Sequence, residues 1–210
     1  MSEKFKVMVT GGAGYIGSHA VHALRDAGWP VVVIDNLVTG FRWAVPEGVA
    51  FEQSDIGDAA AVSKVLADHK VGAIMHFAGS VVVPESVENP LKYYRNNTAN
   101  SRTLIECAVG AGVNHFIFSS TAATYGIPET VPVREDMPKA PINPYGASKW
   151  MIERVLADYR AAYGIGSFAL RYFNASGADP AGGTGELREV ETHLIPRAMM
   201  ALQGHVPDFA

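Results

Sequence analysis

Phe5 to Gly17 reads FKVMVTGGAGYIG, and this stretch decides the fold. Phe5 to Thr10 has the composition of a short strand. Gly11, Gly14 and Gly17 then fall three apart, and Ser18 to Ala27 continues with helical spacing, Ala20, Leu24 and Ala27 lying on one face. Gly28 ends that helix. A bare GxxGxxG is a weak signal, but this one follows a strand and opens a helix. A second strand comes next: Val31 to Ile34 is an unbroken apolar run with three valines, as a buried parallel strand requires. Asp35 closes it 18 residues after Gly17. The whole is a strand–glycine turn–helix–strand unit with an acid at its end, the pattern of a dinucleotide site. Gly11 permits the tight turn, Gly14 lets the backbone approach a pyrophosphate, and Gly17 lets the helix pack closely on the sheet. Asp35 accepts from both ribose hydroxyls and repels a 2′-phosphate, which favours NAD over NADP. A ligand-free glycine turn, with Asp35 capping it, is the plainer alternative.

Outward from this unit the alternation continues. Val49 to Glu52 is a weaker strand, Asp58 to Asp68 a short helix, and Gly72 to Phe77 a buried strand. Pro90 to Gly110 predicts one long helix with Pro90 in its first turn. Val113 to Ser119 is strand, Tyr145 to Tyr163 an amphipathic helix, and Gly166 to Tyr172 strand. Repeated β-α units with short connections predict an α/β fold: a Rossmann-type, doubly wound parallel sheet with helices on both faces. Residues 175–189 are rich in Gly, Ala and charge and read as a loop. Leu194 to Leu202 reads as helix, and Gly204 to Asp208 as a turn. The expected division is a dinucleotide-binding domain over 1–174 and the beginning of a small substrate lobe over 175–210.

The bulk numbers narrow the class. The chain has 210 residues, is 48% hydrophobic and carries a net charge of −4. That mild acidity argues against nucleic acid, which calls for a basic face. It does not argue against phosphate, which backbone N–H groups at a helix N-terminus can hold. The single cysteine, Cys107, excludes an internal disulfide and reads as a buried small hydrophobe. Met1 to Lys6 lacks an apolar leader, and no run of 18 apolar residues exists. The expectation is a cytoplasmic protein without membrane or metal.

Two further clusters carry chemistry. Tyr145-Gly-Ala-Ser-Lys149 puts a phenol and an ammonium four apart at the start of a helix, and hence on one face. A phenol is a poor base, with an ordinary pKa of about 10. A nearby ammonium, or the positive nicotinamide ring, lowers it. Ser119, Ser120 and Thr121, within FSSTAATYG (118–126), end a strand at the same sheet edge, where a Thr121 hydroxyl can reach a substrate oxygen beside Tyr145. Asp55-Ile56 follows the third strand and Phe77-Ala78-Gly79 the fourth, both at the carboxyl edge where open α/β sheets bind ligands.

TGGAGYIG, VVVIDNL, HFAGS, YYRNN, FSSTAATYG, PYGASK and LRYFNASGADP together resemble the extended short-chain dehydrogenase/reductase family, from Lys6 to about Pro196. The resemblance is greatest to its NAD-dependent 4-epimerases of UDP-galactose and UDP-glucose. Ala122 and Ala123 follow Thr121 where the dehydratases carry an acid. Segment 171–180 (RYFNASGADP) and Glu191 to Pro196 are similar to the epimerases' versions. The resemblance implies that Tyr15 and Ile16 cover the pyrophosphate, that Asp35 and Asn36 meet the adenosine ribose, and that Asp55 and Ile56 meet the adenine. It implies that Phe77, Ala78, Gly79, Asn96, Tyr145, Lys149 and Phe173 surround the rest of NAD. Asn174, His193 and Leu194, with Thr121, would meet the UDP-sugar. It further implies a homodimer through a four-helix bundle, and on the order of 100 following residues completing the substrate lobe. One departure is Val81, which stands where well-known members have a lysine near the cofactor. A 4-epimerase of UDP-arabinose or UDP-glucuronate, and a catalytically silent NAD-binding module, are the alternatives; the presence of both Tyr145 and Lys149 argues against the last.

Overall fold

The computed structural model describes residues 4–188 and 191–207. The first strand, β1 (Lys6–Thr10), leads through the glycine turn into α1 (Tyr15–Asp26) and returns as β2 (Val31–Asp35). There follow β3 (Ala50–Gln53), α2 (Ala59–Asp68) and β4 (Val71–His76). Asp58 caps α2, its carboxylate accepting from the amides of Ala60 and Ala61. The six strands, completed by β5 (His115–Ser119) and β6 (Gly166–Leu170), form one parallel sheet of order β3-β2-β1-β4-β5-β6. The order reverses between β1 and β4, which opens a crevice at their carboxyl ends.

One face of this sheet is fully covered. Met8, Val32, Ile34, Ile74, Phe116 and Phe118 pack there against Val62, Val65 and Leu66 of α2, Leu104, Ile105 and Ala108 of α5 (Asn100–Gly110), and Ile152 and Leu156 of α6 (Pro144–Tyr163). On the other face Val7, Val9, Val31 and Val33 pack under Val21 of α1. Over β4 to β6 this second face stays open: an apolar groove of about 720 Å³ is lined by Ala73, Met75, Ile117 and Phe168, and Phe168 is 64% exposed.

The predicted long helix over 90–110 divides. A short α3 (Val83–Glu88) precedes it, α4 (Pro90–Tyr93) opens it, Tyr94–Ala99 is a π-helical stretch, and α5 completes it. The remaining predicted elements lie within two residues of their expected ends, except that the first helix starts three residues early, at Tyr15. Residues 175–188 contain no helix or strand, as a loop should, and α7 (Leu194–Leu202) follows. Glu189 and Asp208, parts of the predicted loop and final turn, lie outside the described residues. No helix among the described residues is long and apolar enough to cross a membrane.

Candidate active site

The glycine turn divides by function. Gly11 has a φ of +68°, and a Cβ there would stand 2.6 Å from the Ala78 amide across the crevice. A Cβ on Gly17 would stand 2.1 Å from the Gly11 carbonyl. The close approach that requires Gly17 is therefore to the turn itself and not, as expected, to the sheet. Gly14 differs: its φ is −84°, and the nearest atom to an added Cβ is the Gly11 carbonyl at 3.3 Å. A side chain at Gly14 needs the Gly11 carbonyl to give by only a few tenths of an ångström, far less than at Gly11 or Gly17, and the bare backbone keeps the space above the helix clear. Gly14 caps α1 without a side-chain hydrogen bond, which leaves the first-turn amides of Tyr15, Ile16 and Gly17 facing that space. This is the cradle a pyrophosphate fits.

Asp35 is buried at the end of β2. Its Oδ2 accepts from the Ala13 amide at 2.9 Å and its Oδ1 from the Leu37 amide at 2.8 Å. A carboxylate has about four acceptor positions, so the pair of ribose hydroxyls still fits. Asn36 Nδ2 donates to Asp55 Oδ2 at 2.9 Å, while Asp55 Oδ1 accepts from the Gly57 amide at 2.7 Å and Asn100 Nδ2 at 3.0 Å. Asp55 is thus more than a turn residue; it ties the ends of β2 and β3 to α5, and a polar cavity of about 720 Å³ opens beside it, reaching Arg95 and Asn96. The Ile56 side chain is buried in the core. Phe77 packs on the smaller core cluster, and Asn96 Nδ2 donates to Ser80 Oγ at 2.9 Å.

Across the crevice, Asn143 caps α6 by accepting from the Gly146 amide at 2.8 Å. A Cβ on Gly146 would stand 2.7 Å from the Ala123 carbonyl, so α6 begins hard against the 3₁₀ turn Ala122–Tyr125. This brings the Thr121 hydroxyl into hydrogen-bonding contact with the Tyr145 phenol. Burial raises that phenol above its ordinary value, and the Thr121 contact opposes the rise. Lys149 is buried below it, its Nζ donating to the Ser119 carbonyl at 3.0 Å and lying 5.1 Å from the centre of the Phe118 ring. Burial lowers the Lys149 ammonium to about 8. The causes of the shift are burial, which raises the phenol, and the Thr121 contact, which opposes it; the expected lowering by Lys149 is not among them.

Several buried polar residues escaped the sequence reading. His76 lies between Thr10 Oγ1 at 2.6 Å and Ser101 Oγ at 2.7 Å, and burial, with the Lys149 charge, lowers it to about 3. Asn97 accepts from the Ser80 amide at 2.8 Å and donates to the Ser80 carbonyl at 3.0 Å and Ser148 Oγ at 3.1 Å, joining the loop after β4 to α6. Glu153 is buried in an ion pair with Arg171. A polar residue on a core-facing helix position, such as Glu153 eight residues after Tyr145, was the available signal.

The remaining predicted contacts stand apart. Phe173 and Leu194 are each 71% exposed, and Asn174 is exposed. His193 Nδ1 meets Glu191 Oε1 at 3.0 Å and Glu186 Oε1 at 3.6 Å. Arg188 is ion-paired to the same Glu186 at 3.2 Å. Among the described residues no hydrogen bond joins Asn174, His193 or Leu194 to Thr121 or Tyr145. The loop between them is moored instead on α1: Tyr15 Oη donates to the Gly177 carbonyl at 2.7 Å, and Ser18 and Thr184 hydroxyls meet at 2.6 Å.

Residues 7–207 match the NAD dependent epimerase/dehydratase family. The chain is 59% identical over 205 residues to the UDP-glucose 4-epimerase of Azospirillum brasilense, covering 98% of this chain and 59% of that one. It is 52% identical over 194 residues to the UDP-glucose 4-epimerase of Lactobacillus helveticus, covering 92% of this chain and 59% of the relative. Among solved structures, UDP-glucose 4-epimerase from Brucella ovis in complex with NAD superposes with a TM-score of 0.94 at 47% identity, covering 97% of this chain and 62% of that one. The chain therefore spans about three fifths of the length of the curated relatives it matches.

Proposed function

We propose, from the premise that the chain belongs to the NAD dependent epimerase/dehydratase family, that it carries the NAD site and catalytic groups of a UDP-glucose 4-epimerase, interconverting UDP-galactose and UDP-glucose. The observation that supports this best is the placement of Thr121, Tyr145 and Lys149 at the sheet edge beside the glycine cradle, with alanines at 122 and 123. An acid at either alanine would equip the site to eliminate water; without one it is equipped only to move a proton at a sugar hydroxyl.

Gly11, Gly14, Tyr15, Ile16 and Gly17 would hold the pyrophosphate, Asp35 and Asn36 the adenosine ribose, and Lys149 the nicotinamide ribose. When bound, NAD would supply the hydride chemistry by which sugar C4 is oxidised to a ketone and then reduced from its opposite face. Tyr145 takes the proton from the 4-hydroxyl and later gives it back. Thr121 donates to O4 and keeps the phenol aligned. Lys149, held by the Ser119 carbonyl, supplies positive charge below the phenolate. Asn174, His193 and Leu194 belong to the sugar-nucleotide side. Domain 1–174 carries the cofactor, and 175–210 begins the substrate lobe. Neighbouring α5 and α6 would pair across a two-fold in a homodimer. A single cysteine suits the cytoplasm.

The test is Tyr145→Phe. Turnover of UDP-galactose, followed by chromatography, should fall at least ~10³-fold while NAD affinity, by fluorescence quenching, changes less than ~3-fold. Undiminished turnover in the variant would remove Tyr145 from the base role.

A further inference from the structure

One face of α6 contacts three consecutive residues at the end of β5. Lys149 Nζ donates to the Ser119 carbonyl at 3.0 Å, the Ser120 hydroxyl donates to Glu153 Oε1 at 2.5 Å, and the Thr121 hydroxyl, which accepts from the Ala123 amide at 3.1 Å, lies beside the Tyr145 phenol and opposes the rise of its pKa. Tyr145, Lys149 and Glu153 are spaced by four, so they stack along one helix face over about 12 Å. We propose that Ser120 and Glu153 are positioning residues: their buried hydrogen bond fixes the register of α6 against the β5 strand end and thereby sets the Thr121 hydroxyl against Tyr145.

Glu153 is built to stay charged and fixed. Arg171 Nε lies 2.9 Å and 3.0 Å from its two oxygens, and a second guanidinium nitrogen completes the fork at 2.5 Å. The third nitrogen donates to Tyr125 Oη at 2.9 Å, and the guanidinium lies over the Tyr125 ring, 5.3 Å from its centre. Tyr125 ends the turn that begins at Thr121, so the cluster grips the chain on both sides of Thr121. Tyr172, next to Arg171, accepts from the Ala122 amide at 3.0 Å and shares a hydrogen bond with Ser119. Residues 119, 120, 122 and 125 are thus each tied down, as is Thr121 itself, whose hydroxyl accepts from the Ala123 amide at 3.1 Å beside the phenol. A buried ion pair adds little net stability over apolar residues of the same volume. Its contribution here is geometric, at a site where about 1 Å of misalignment costs ~10²-fold in rate.

The inference rests on Tyr145 being the base, but its test does not use turnover. The chain, labelled with ¹³C at the hydroxyl-bearing carbon of tyrosine, is titrated by NMR, and the Tyr145 resonance is assigned by its loss in Tyr145→Phe. The titratable groups facing the phenol are Lys149, Tyr93 at 6.4 Å between ring centres, and Tyr172, and all three remain in every variant. Thr121→Val should raise the Tyr145 midpoint by about half to one pH unit, the size of one ordinary hydrogen bond. Ser120→Ala keeps the Glu153–Arg171 pair intact, so it folds, and it should raise the midpoint in the same direction. Ser120→Thr should restore it. The double variant Ser120→Ala/Thr121→Val should shift no further than Thr121→Val alone. A Ser120→Ala midpoint equal to that of the parent, or shifts that add, would overturn the proposal. So would a Thr121→Val variant with an unmoved midpoint, since there would then be no contact to position.

Discussion

Tyr145 begins with a handicap, because burial raises its phenol and Lys149 is held to the Ser119 carbonyl. In the proposed reaction, the positive charge of an oxidised nicotinamide bound beside the phenol would favour its ionisation. His76 makes a second residue-scale prediction. Its folded value, about 3, lies below the ordinary 6.5, so the unfolded chain binds more protons between those values. Stability attributable to His76 is complete above pH 6.5 and is lost as pH falls towards 3. Urea midpoints should decline from pH 7 to pH 5, and more shallowly in His76→Gln. An equal decline in both would show that other groups set the acid limit. The surroundings of His76 were not legible in sequence, because it is a single polar letter in an apolar stretch, whereas Glu153 was marked only by its core-facing place on the helix, eight residues after Tyr145.

At the level of elements, the strands and the glycine turn were legible because each carries a local physical mark. Buried parallel strands are apolar runs, and the turn needs glycine where φ is positive or backbones meet. The π-helical stretch at Tyr94–Ala99 has no such mark, since one looser turn leaves the polarity pattern of a helix nearly unchanged. α3 was missed because Val81 to Val83, exposed and β-branched, reads as anything but a helix start. The turn also separates glycines that sequence treats alike. Gly17→Ala should destabilise the fold by ~2 kcal/mol or more, since a Cβ cannot stand 2.1 Å from a carbonyl oxygen. Gly14→Ala should leave the unfolding midpoint within about 1 kcal/mol of the parent yet weaken NAD binding about tenfold or more. Thermal melts beside NAD titrations decide it. Unchanged NAD affinity in Gly14→Ala would mean that the pyrophosphate does not cross that residue.

For the molecule as a whole, the two sheet faces are unequal. One is sealed by α2, α5 and α6, while the other leaves Ala73, Met75, Ile117 and Phe168 lining an apolar groove. Such a surface favours self-association. Phe168→Glu should raise the concentration at which the chain stays monodisperse in light scattering without altering NAD affinity, because the groove lies on the sheet face over β4 to β6 and the proposed cofactor cradle at the strands' carboxyl ends. Loss of NAD binding in that variant would tie the face to the site. In the proposed reaction, hydride leaves sugar C4 and returns to the same carbon. The most direct measurement supplies UDP-galactose deuterated at C4 to the NAD-loaded chain and analyses the nucleotide sugar by mass spectrometry and NMR. The account predicts UDP-glucose that keeps its deuterium at C4. UDP-glucose with that deuterium exchanged into solvent, or no UDP-glucose from chain that has bound both ligands, would contradict it.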